Sequence, residues 1–256
     1  MTRMLTAAFV LLAVAAPASA QTPPRTPPRA TVRPKPPVRL FISVSGGIQT
    51  APAPFSDAFD LTLYTEKEHI TVDYPSEIGG LIAASVSYRL WRQFVVGLGA
   101  SRSSSSGDAH VTAQLPHPLY DNSFRAIEGT AKSSRDETGT HLMLGLVWPV
   151  NRRLRVLLSA GPSWLSVDQP IITDVTYAET FPYDTAEFTG VKTSGGRESA
   201  TGFNAGADVS WMFSRGVGVG GLFRYTHARI KTNAGDRSVS FDAGGAQVAG
   251  GIRFAF

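Results

Sequence analysis

Charged residues at alternating positions of otherwise apolar segments are the first candidates for chemistry in this sequence. An isolated charge in a confined interior is costly, so each is expected to pair. The one acid among them, Asp208, is expected to pair with Arg155 on the neighbouring predicted strand. Such a network could open as an ion gate or stay as a static filling, and a narrow eight-stranded barrel favours the static filling. The interior ion-pair candidates are Arg89, Arg155, Asp208, Arg224 and Arg253.

A histidine near the end of a predicted strand is the second candidate. The stretch FRYTHARI, which contains His227, is similar to a strand of the outer-membrane lipid A deacylases, in which a serine follows the histidine by two residues. Arg229 occupies that position here, so the base has no hydroxyl nucleophile to activate. A lipid-modifying enzyme is therefore the less favoured alternative, and we expect no enzyme, no catalytic residue and no cofactor.

Metal binding is not indicated by the histidine spacing. The histidines are scattered singly, with no pair at the short spacings typical of a metal site: His69, His110, His117, His141 and His227. The sequence therefore predicts no metal centre.

The segments that position these side chains alternate with a period of two, which is typical of β-strands. HLMLGLVW places Leu142, Leu144 and Trp148 on one face, and Met143 and Gly145 on the other. Eight segments follow this pattern, at about 39–50, 78–90, 93–103, 141–148, 153–164, 202–213, 216–229 and 241–256.

The connections between the predicted strands alternate in length. Short turns fall at Leu90–Arg92, Pro149–Arg152 and Ser214–Gly216, whereas long polar loops fall at about 51–76, 104–136, 166–198 and 230–240. Short turns on one side and long loops on the other are typical of a bacterial transmembrane β-barrel. Within the first loop, two β-rich runs around a Glu66–Glu68 turn predict a hairpin above the membrane.

Aromatic residues gather at two levels of the predicted strands, as expected at membrane–water boundaries. The predicted girdle beside the short turns comprises Trp91, Phe94, Trp148, Trp211, Phe213 and Phe256. A second ring towards the long loops is expected from Trp164, Phe203, Tyr225 and Phe241.

A soluble lipocalin-like barrel or β-sandwich would turn its better apolar face inward. Here one face is almost purely apolar, and the other is small and polar, with residues such as Gly97, Gly145 and Ser159. The second face would make a poor hydrophobic core but suits the inside of a narrow barrel. The expected fold is all-β: an eight-stranded antiparallel up-and-down transmembrane β-barrel.

The C-terminal stretch DAGGAQVAGGIRFAF and the eight-strand layout carry a family resemblance. Over about residues 39–256 the chain resembles small outer-membrane β-barrel proteins of the OmpA-transmembrane-domain and opacity-protein-like kind. The resemblance implies that Phe256 is the assembly signal read by the barrel-assembly machinery. It implies an architecture more than an activity.

The beginning of the chain predicts export. Residues 1–20 combine Arg3, an apolar run and an Ala18-Ser19-Ala20 cleavage site, which together are typical of a secretory signal peptide. Residues 21–38 are rich in proline and arginine and contain no acid, so an extended periplasmic linker is expected before a barrel at 39–256. The linker is either a spacer or a basic arm that touches peptidoglycan or anionic head groups.

The leader and linker together carry more positive charge than the net +4 of the whole chain. The barrel segment is slightly acidic, so nothing argues for nucleic-acid binding. The chain has no cysteine, so an exported protein of this kind must gain its stability elsewhere, for example from closure of a sheet.

The expected function is that of an integral outer-membrane protein with both termini periplasmic, and its expected partners are outer-membrane lipids and lipopolysaccharide. Its structural or surface-interaction role would be carried by long extracellular loops, and we expect a monomer. In the third loop Tyr177, Phe181, Tyr183 and Phe188 either form a recognition surface or pack to cap the barrel. The alternative is a narrow channel for ions or small solutes.

Overall fold

The computed structural model describes residues 38–50, 53–234 and 237–256. The predicted signal peptide, and the predicted linker except for its last residue, lie outside them. Within the described residues no helix is long and apolar enough to cross a membrane. The strands are β1 (Leu40–Thr50), β2 (Phe55–Leu63), β3 (Glu66–Tyr74), β4 (Ile78–Trp91), β5 (Phe94–Pro116), β6 (Phe124–Pro149), β7 (Leu154–Asp168), β8 (Ile171–Glu179), β9 (Ala186–Ser194), β10 (Arg197–Met212), β11 (Val217–Ala234) and β12 (Arg237–Ala255).

Eight of these strands form a closed antiparallel ring, in the order β1, β4, β5, β6, β7, β10, β11 and β12. The ring closes where β12 pairs with β1, from Phe41 opposite Ala255 to Gln49 opposite Gln247. Neighbours in the ring follow each other along the chain once the hairpins β2–β3 and β8–β9 are set aside. The predicted eight-stranded up-and-down barrel is therefore confirmed.

Side chains alternate between the outside and the inside of the ring, as the pleat of a strand requires. In the half nearest the short turns the outward residues are large and apolar, among them Val44, Leu98 and Ile252. Many inward residues there are small or polar, such as Ser45 and Ser87, although Met143 and Met212 are buried apolar residues. This apolar exterior around a polar interior is the pattern of a barrel surrounded by lipid.

The polarity of the two faces reverses further along the same strands. On β5 the outward side chain changes from apolar Leu98 to exposed Arg102 and His110, while the inward side chain changes from Ser101 to fully buried Val111. Above this reversal the chain folds like a water-soluble β-protein, with an apolar interior and a polar exterior. Below the reversal, the exterior is apolar and the interior is more polar.

Above the reversal stands a folded cap made of β2, β3, β8, β9 and the upper ends of β5 and β6. The β2–β3 hairpin joins the barrel sheet where His69–Asp73 of β3 pair with β5. The β8–β9 hairpin forms its own two-stranded sheet. Between them lies an apolar core that includes Phe59, Ile70, Leu115 and Ile172.

The predicted long loops at 104–136 and 230–240 are wrong. β11 and β12 stay paired as far as Ala234 opposite Arg237. β5 and β6 stay paired from Phe94 opposite Leu146 to Pro116 opposite Phe124, so that only residues 117–123 connect them. The hairpin predicted in the first loop is present. Its turn lies at Tyr64 and Thr65, which have φ angles of 51° and 72°, rather than at Glu66–Glu68, which begin β3.

Candidate functional site

The predicted lower aromatic girdle lies on the outside of the barrel. All six members are exposed: Trp91, Phe94, Trp148, Trp211, Phe213 and Phe256. Trp91 and Phe94 stack on each other with their ring centroids 6.2 Å apart. The short turns beside these residues place the girdle at one end of the ring.

Three of the four residues of the predicted second ring are exposed. Trp164, Phe203 and Tyr225 are exposed on the outside, and Phe203 lies eight residues above the girdle residue Trp211 on β10. Phe241 is wrong: it is buried in a cluster with Leu165, Ile230 and other apolar residues. It lies on the inward face of β12 above the polarity reversal, where aromatic residues face the core instead of lipid.

The interior acid pairs with a different arginine from the expected one. The Nη2 atom of Arg253 lies 2.8 Å from Asp208 Oδ2, and its Nε donates to both carboxylate oxygens at 3.0 Å. Arg253 Nη1 also donates to Ser45 Oγ at 2.8 Å. The expected partner, Arg155, is instead seated against Phe41, with its guanidinium carbon 5.5 Å from the ring centroid.

Glycine explains how this pair forms across two strands. Asp208 is on β10 and Arg253 on β12, with β11 between them. A Cβ at Gly220 of β11 would lie 3.0 Å from Arg253 Nε, so the arginine passes over a position with no side chain. Adjacency of strands in the sequence favoured Arg155, whereas the side chain of Arg253 extends across the intervening strand β11 to Asp208.

The remaining interior arginines have few acceptors. Arg89 lies over the same ring as Arg155, 5.4 Å from the centroid of Phe41. Arg224 is 2% exposed, and its Nη2 lies 3.7 Å from the Sδ atom of Met143. Among the described residues, Arg89 Nε, Arg155 Nη1 and Arg224 Nη1 are buried and have no hydrogen-bond partner.

A cavity occupies the half of the barrel that these charges face, and we call it the lower chamber. The volume that the centres of water molecules can occupy in this chamber is about 50 Å³. This is enough for a few water molecules. The charged residues on its wall are Arg155, Asp208, Arg224 and Arg253, and serines on the wall include Ser43, Ser85, Ser87 and Ser210.

Above the lower chamber a buried histidine bridges two strands. The Nδ1 atom of His141 is 2.8 Å from Ser163 Oγ, and its Nε2 is 2.9 Å from Ser101 Oγ. Asn204 Nδ2 donates to the same Ser163 hydroxyl at 2.9 Å and to the carbonyl of Gly161 at 2.9 Å. These hydrogen bonds fill the middle of the barrel with paired polar groups, although Asn204 Oδ1 is buried without a partner among the described residues.

A second polar layer, which we call the upper layer, closes the barrel beneath the cap. It consists of Gln49, Arg135, Glu137 and Gln247. Glu137 accepts from Gln49 Nε2 at 2.6 Å and from Arg135 Nε at 2.7 Å, and Gln247 Nε2 donates to Gln49 Oε1 at 2.8 Å. Sequence reasoning missed Arg135 and Glu137 because the first lay in a predicted loop and the second between that loop and the next predicted strand. They share the odd-numbered, inward face of β6 with His141, so continuing the alternation would have found them.

The tips of three hairpins meet at the far end of the cap. Arg125 forms an ion pair with Glu179 at 2.5 Å and donates to the carbonyl oxygen of Tyr183 at 3.1 Å. Tyr64 donates its hydroxyl to Glu179 at 3.1 Å. These contacts connect the turns of β2–β3, β5–β6 and β8–β9, a region we call the tip cluster.

Large apolar side chains are exposed on the tip cluster. Phe181 is 74% exposed and Tyr120 is 63% exposed, with Leu119 and Phe124 beside them in the chain also exposed. Of the aromatic residues of the third loop, Tyr177 and Phe188 pack against the cap core, whereas Phe181 is exposed.

One carboxyl group is buried inside the cap. Glu68 is 4% exposed, and its Oε1 has no hydrogen-bond partner among the described residues. Burial, together with the nearby charge of Asp174, raises the pKa of Glu68 to about 7, although Lys192 opposes the shift. The cap therefore contains an acid that titrates near neutral pH.

The histidine considered for lipid chemistry lies at the upper aromatic ring. His227 packs against Phe203, with ring centroids 5.8 Å apart. Arg229, which occupies the position of the missing serine, lies 3.3 Å from Asp242. In the part of the chain that the structure describes, no cluster of three metal-ligating side chains is present.

No protein family matches this chain, and no curated protein matches it. Among solved structures, it is similar to the outer membrane protein OprG from Pseudomonas aeruginosa, at 13% identity and a TM-score of 0.49, over 85% of this chain and 96% of that one. It is similar to Neisserial surface protein A at 11% identity and a TM-score of 0.42, over 85% and 97%. It is also similar to Ail, the attachment invasion locus protein of Yersinia pestis, at 12% identity and a TM-score of 0.37, over 85% and 99%.

The features of this chain itself define its kind. It has a closed ring of eight antiparallel strands, a band of exposed apolar side chains between aromatic residues, and a polar interior. In water, so large an apolar exterior would be unfavourable, whereas lipid accommodates it. The chain is a small eight-stranded β-barrel of the membrane-spanning kind.

Proposed function

We propose that this protein is an integral outer-membrane protein that presents its cap as a recognition surface outside the cell. The observation that carries the proposal is the tip cluster, where three tied hairpins hold Tyr120, Phe124 and Phe181 exposed. Exposed aromatic side chains on a rigid support favour binding, because little conformational entropy is lost when a partner docks. The protein acts as a binding or structural component of the envelope and not as an enzyme.

The proposed orientation places the cap outside the cell and the short turns in the periplasm. Short periplasmic turns and longer extracellular segments are the usual arrangement of such barrels. The two ends of the barrel segment meet on the short-turn side, where the Arg39 amide donates to the carbonyl of Phe256 at 2.7 Å. Both would then face the periplasm.

Outer-membrane lipids are the proposed surroundings of the barrel wall. Directly above the upper aromatic ring, Arg102 and Arg229 are exposed on the outside, with side chains 73% and 70% accessible. Cations at this level are suited to the phosphate groups of lipopolysaccharide. Contact of the linker with peptidoglycan, recognition of Phe256 by the assembly machinery and a monomeric state stay predictions.

Gel mobility and protease accessibility test the location and orientation. Membrane-extracted protein is run unheated and boiled, with and without protease treatment of whole cells. We expect a folded band that shifts on boiling, and cleavage confined to residues of the cap. A single mobility and recovery in the soluble periplasmic fraction would contradict the proposal.

A binding assay tests the role of the tip cluster. Cells that display the wild type, the double variant Tyr120→Ser/Phe181→Ser or the control Lys132→Ala are applied to an array of glycans and extracellular-matrix proteins. Lys132 is a suitable control because it is 88% accessible and lies on the wall of the cap. We expect retention by wild type and control and loss in the double variant. Equal behaviour of all three at equal surface levels would overturn the recognition role.

A further inference from the structure

The lower chamber has a surplus of positive charge. Of the charged side chains that line it, Arg155, Arg224 and Arg253 are cationic and Asp208 is anionic. The Asp208 carboxylate is already engaged by Arg253. Arg89 adds a further cation at the short-turn end, against the same Phe41 ring as Arg155.

The donors of these arginines point to a missing acceptor. Arg224 is almost fully buried, and the sulfur of Met143 is its closest hydrogen-bonding contact, at 3.7 Å. Its Nη1, together with Arg155 Nη1, has no partner among the described residues. A buried guanidinium without an anion is strongly unfavourable, so the protein gains stability from any anion that enters.

We infer that the lower chamber is a binding site for a phosphate group. A tetrahedral oxyanion accepts hydrogen bonds from several directions, which suits guanidinium groups that approach from β7 and β11. The hydroxyls of Ser43, Ser85 and Ser87 line the same cavity. Ser43 and Ser85 hydrogen-bond to each other at 2.6 Å, so one proton of that pair and the Ser87 hydroxyl are available as further donors. Its size suits a small oxyanion, and the inference needs only the barrel, not the proposed role of the cap.

Two sources supply this chemistry on the periplasmic side: free phosphate and the head group of a phospholipid. The full-length protein in a neutral detergent is unfolded by heat at constant ionic strength, with inorganic phosphate or with short-chain phosphatidylglycerol added in separate series. We expect the unfolding midpoint to rise and saturate with at least one of them. Saturation by phosphate assigns the site to the free ion, and saturation by the lipid alone assigns it to a head group.

Variants distinguish a site from a structural role. Arg155→Gln and Arg224→Gln should each weaken the response by about tenfold or more, because each removes a charge-assisted hydrogen bond. Without the ligand, Arg155→Gln should be at least as stable as the wild type, since it relieves repulsion from Arg89, and a structural arginine would behave in the opposite way. If Arg155→Gln does not fold, Arg155→Lys takes its place as the test variant, because lysine keeps the positive charge.

The control is Lys132→Gln, which removes an exposed cation from the wall of the cap, outside the lower chamber. It should respond to the ligand like the wild type. The inference is overturned if neither phosphate nor phosphatidylglycerol gives a saturable shift, or if Arg155→Gln and Arg224→Gln respond as the wild type does.

Discussion

The stability of a charged side chain inside the barrel depends on its partner, because the interior contains little water that could take the partner's place. Asp208 and Arg253 show this most directly, with three contacts of 2.8 to 3.0 Å between them. Removing one partner of such a pair leaves the other charge without compensation. The loss then exceeds what the pair itself contributes to stability.

We therefore expect Asp208→Asn to lower the free energy of unfolding by about 2–4 kcal/mol. The measurement is urea unfolding in short-chain lipid vesicles, followed by tryptophan fluorescence. Adding Arg253→Met should recover most of the loss, since it removes the unpaired cation. The control is Asp108→Asn, whose partner Lys132 is largely exposed, so the loss should be at most about 1 kcal/mol.

A second single residue, Glu68, gives the cap a pH dependence. Its folded pKa of about 7 lies above the ordinary value of 4.5, so the folded cap holds the proton more tightly than the unfolded chain does. The stabilisation is complete below about 4.5 and is lost as the pH rises from there through about 7. The cap should therefore open more readily at pH 8 than at pH 5.

Hydrogen exchange of β3 amides, corrected for the intrinsic effect of pH, measures this opening. Glu68→Gln should remove the pH dependence, whereas Glu128→Gln, an exposed site on β6, should keep it. A wild-type cap whose corrected exchange is the same at both pH values would contradict the prediction.

Among the structural elements, the seam between β1 and β12 leaves no room for a side chain at an inward position of β12. A Cβ at Gly251 would lie 2.0 Å from the carbonyl oxygen of Val44 and 2.6 Å from Ser45 Cα. Both contacts are with backbone, so no side-chain movement relieves them. Gly250, the next residue, faces outward, and its Cβ would meet its nearest atom at 3.9 Å.

This contrast predicts that Gly251→Ala prevents the seam from forming, whereas Gly250→Ala folds normally. The yield of the heat-modifiable folded band after refolding checks it. Wild-type yield from Gly251→Ala would show that the seam adjusts, and loss in both variants would point to a cause other than the inward contact.

The same elements show what the sequence can and cannot reveal. The lipid-facing half of each strand was predictable, because lipid outside and polar groups inside impose strict alternation, as in HLMLGLVW. The upper half of β5 and β6 was not, because SRSSSSGD is polar on both faces while the sheet changes its polarity there. Phe241 was placed outside for the same reason: the sequence does not mark where the apolar face turns inward.

The interior network was only partly predictable for a related reason. Alternation placed all five charged candidates on inward faces, but pairing across Gly220 depends on the relative heights of three strands. Register is a property of the folded sheet and of its hydrogen bonds. Arg135 and Glu137 required the further knowledge that β6 continues beyond the membrane.

As a whole molecule, the barrel is closed along its axis by successive layers of side chains. Three layers follow one another from the short-turn end to the cap: the Asp208–Arg253 pair, the hydrogen bonds of His141 and Asn204 to Ser163, and the upper layer. An eight-stranded ring leaves an interior only wide enough for side chains. The static filling is therefore favoured over the gate.

Planar-bilayer recording tests this closure. We expect no discrete conductance steps from the wild type and none from Asp208→Ala, because the layers above the lower chamber stay in place. Discrete steps in the wild type whose size changes in Asp208→Ala would instead favour the narrow channel.

The two aromatic rings also set a length. From Phe203 to Trp211 on β10 there are eight residue steps, or about 26 Å along the strand. With a tilt of about 40°, the distance along the membrane normal is only about 20 Å. A bilayer of ordinary thickness would have to thin around such a protein, at a modest cost for each ångström of mismatch. The barrel is thus matched to thin membranes, and lipids with short acyl chains will be its preferred neighbours.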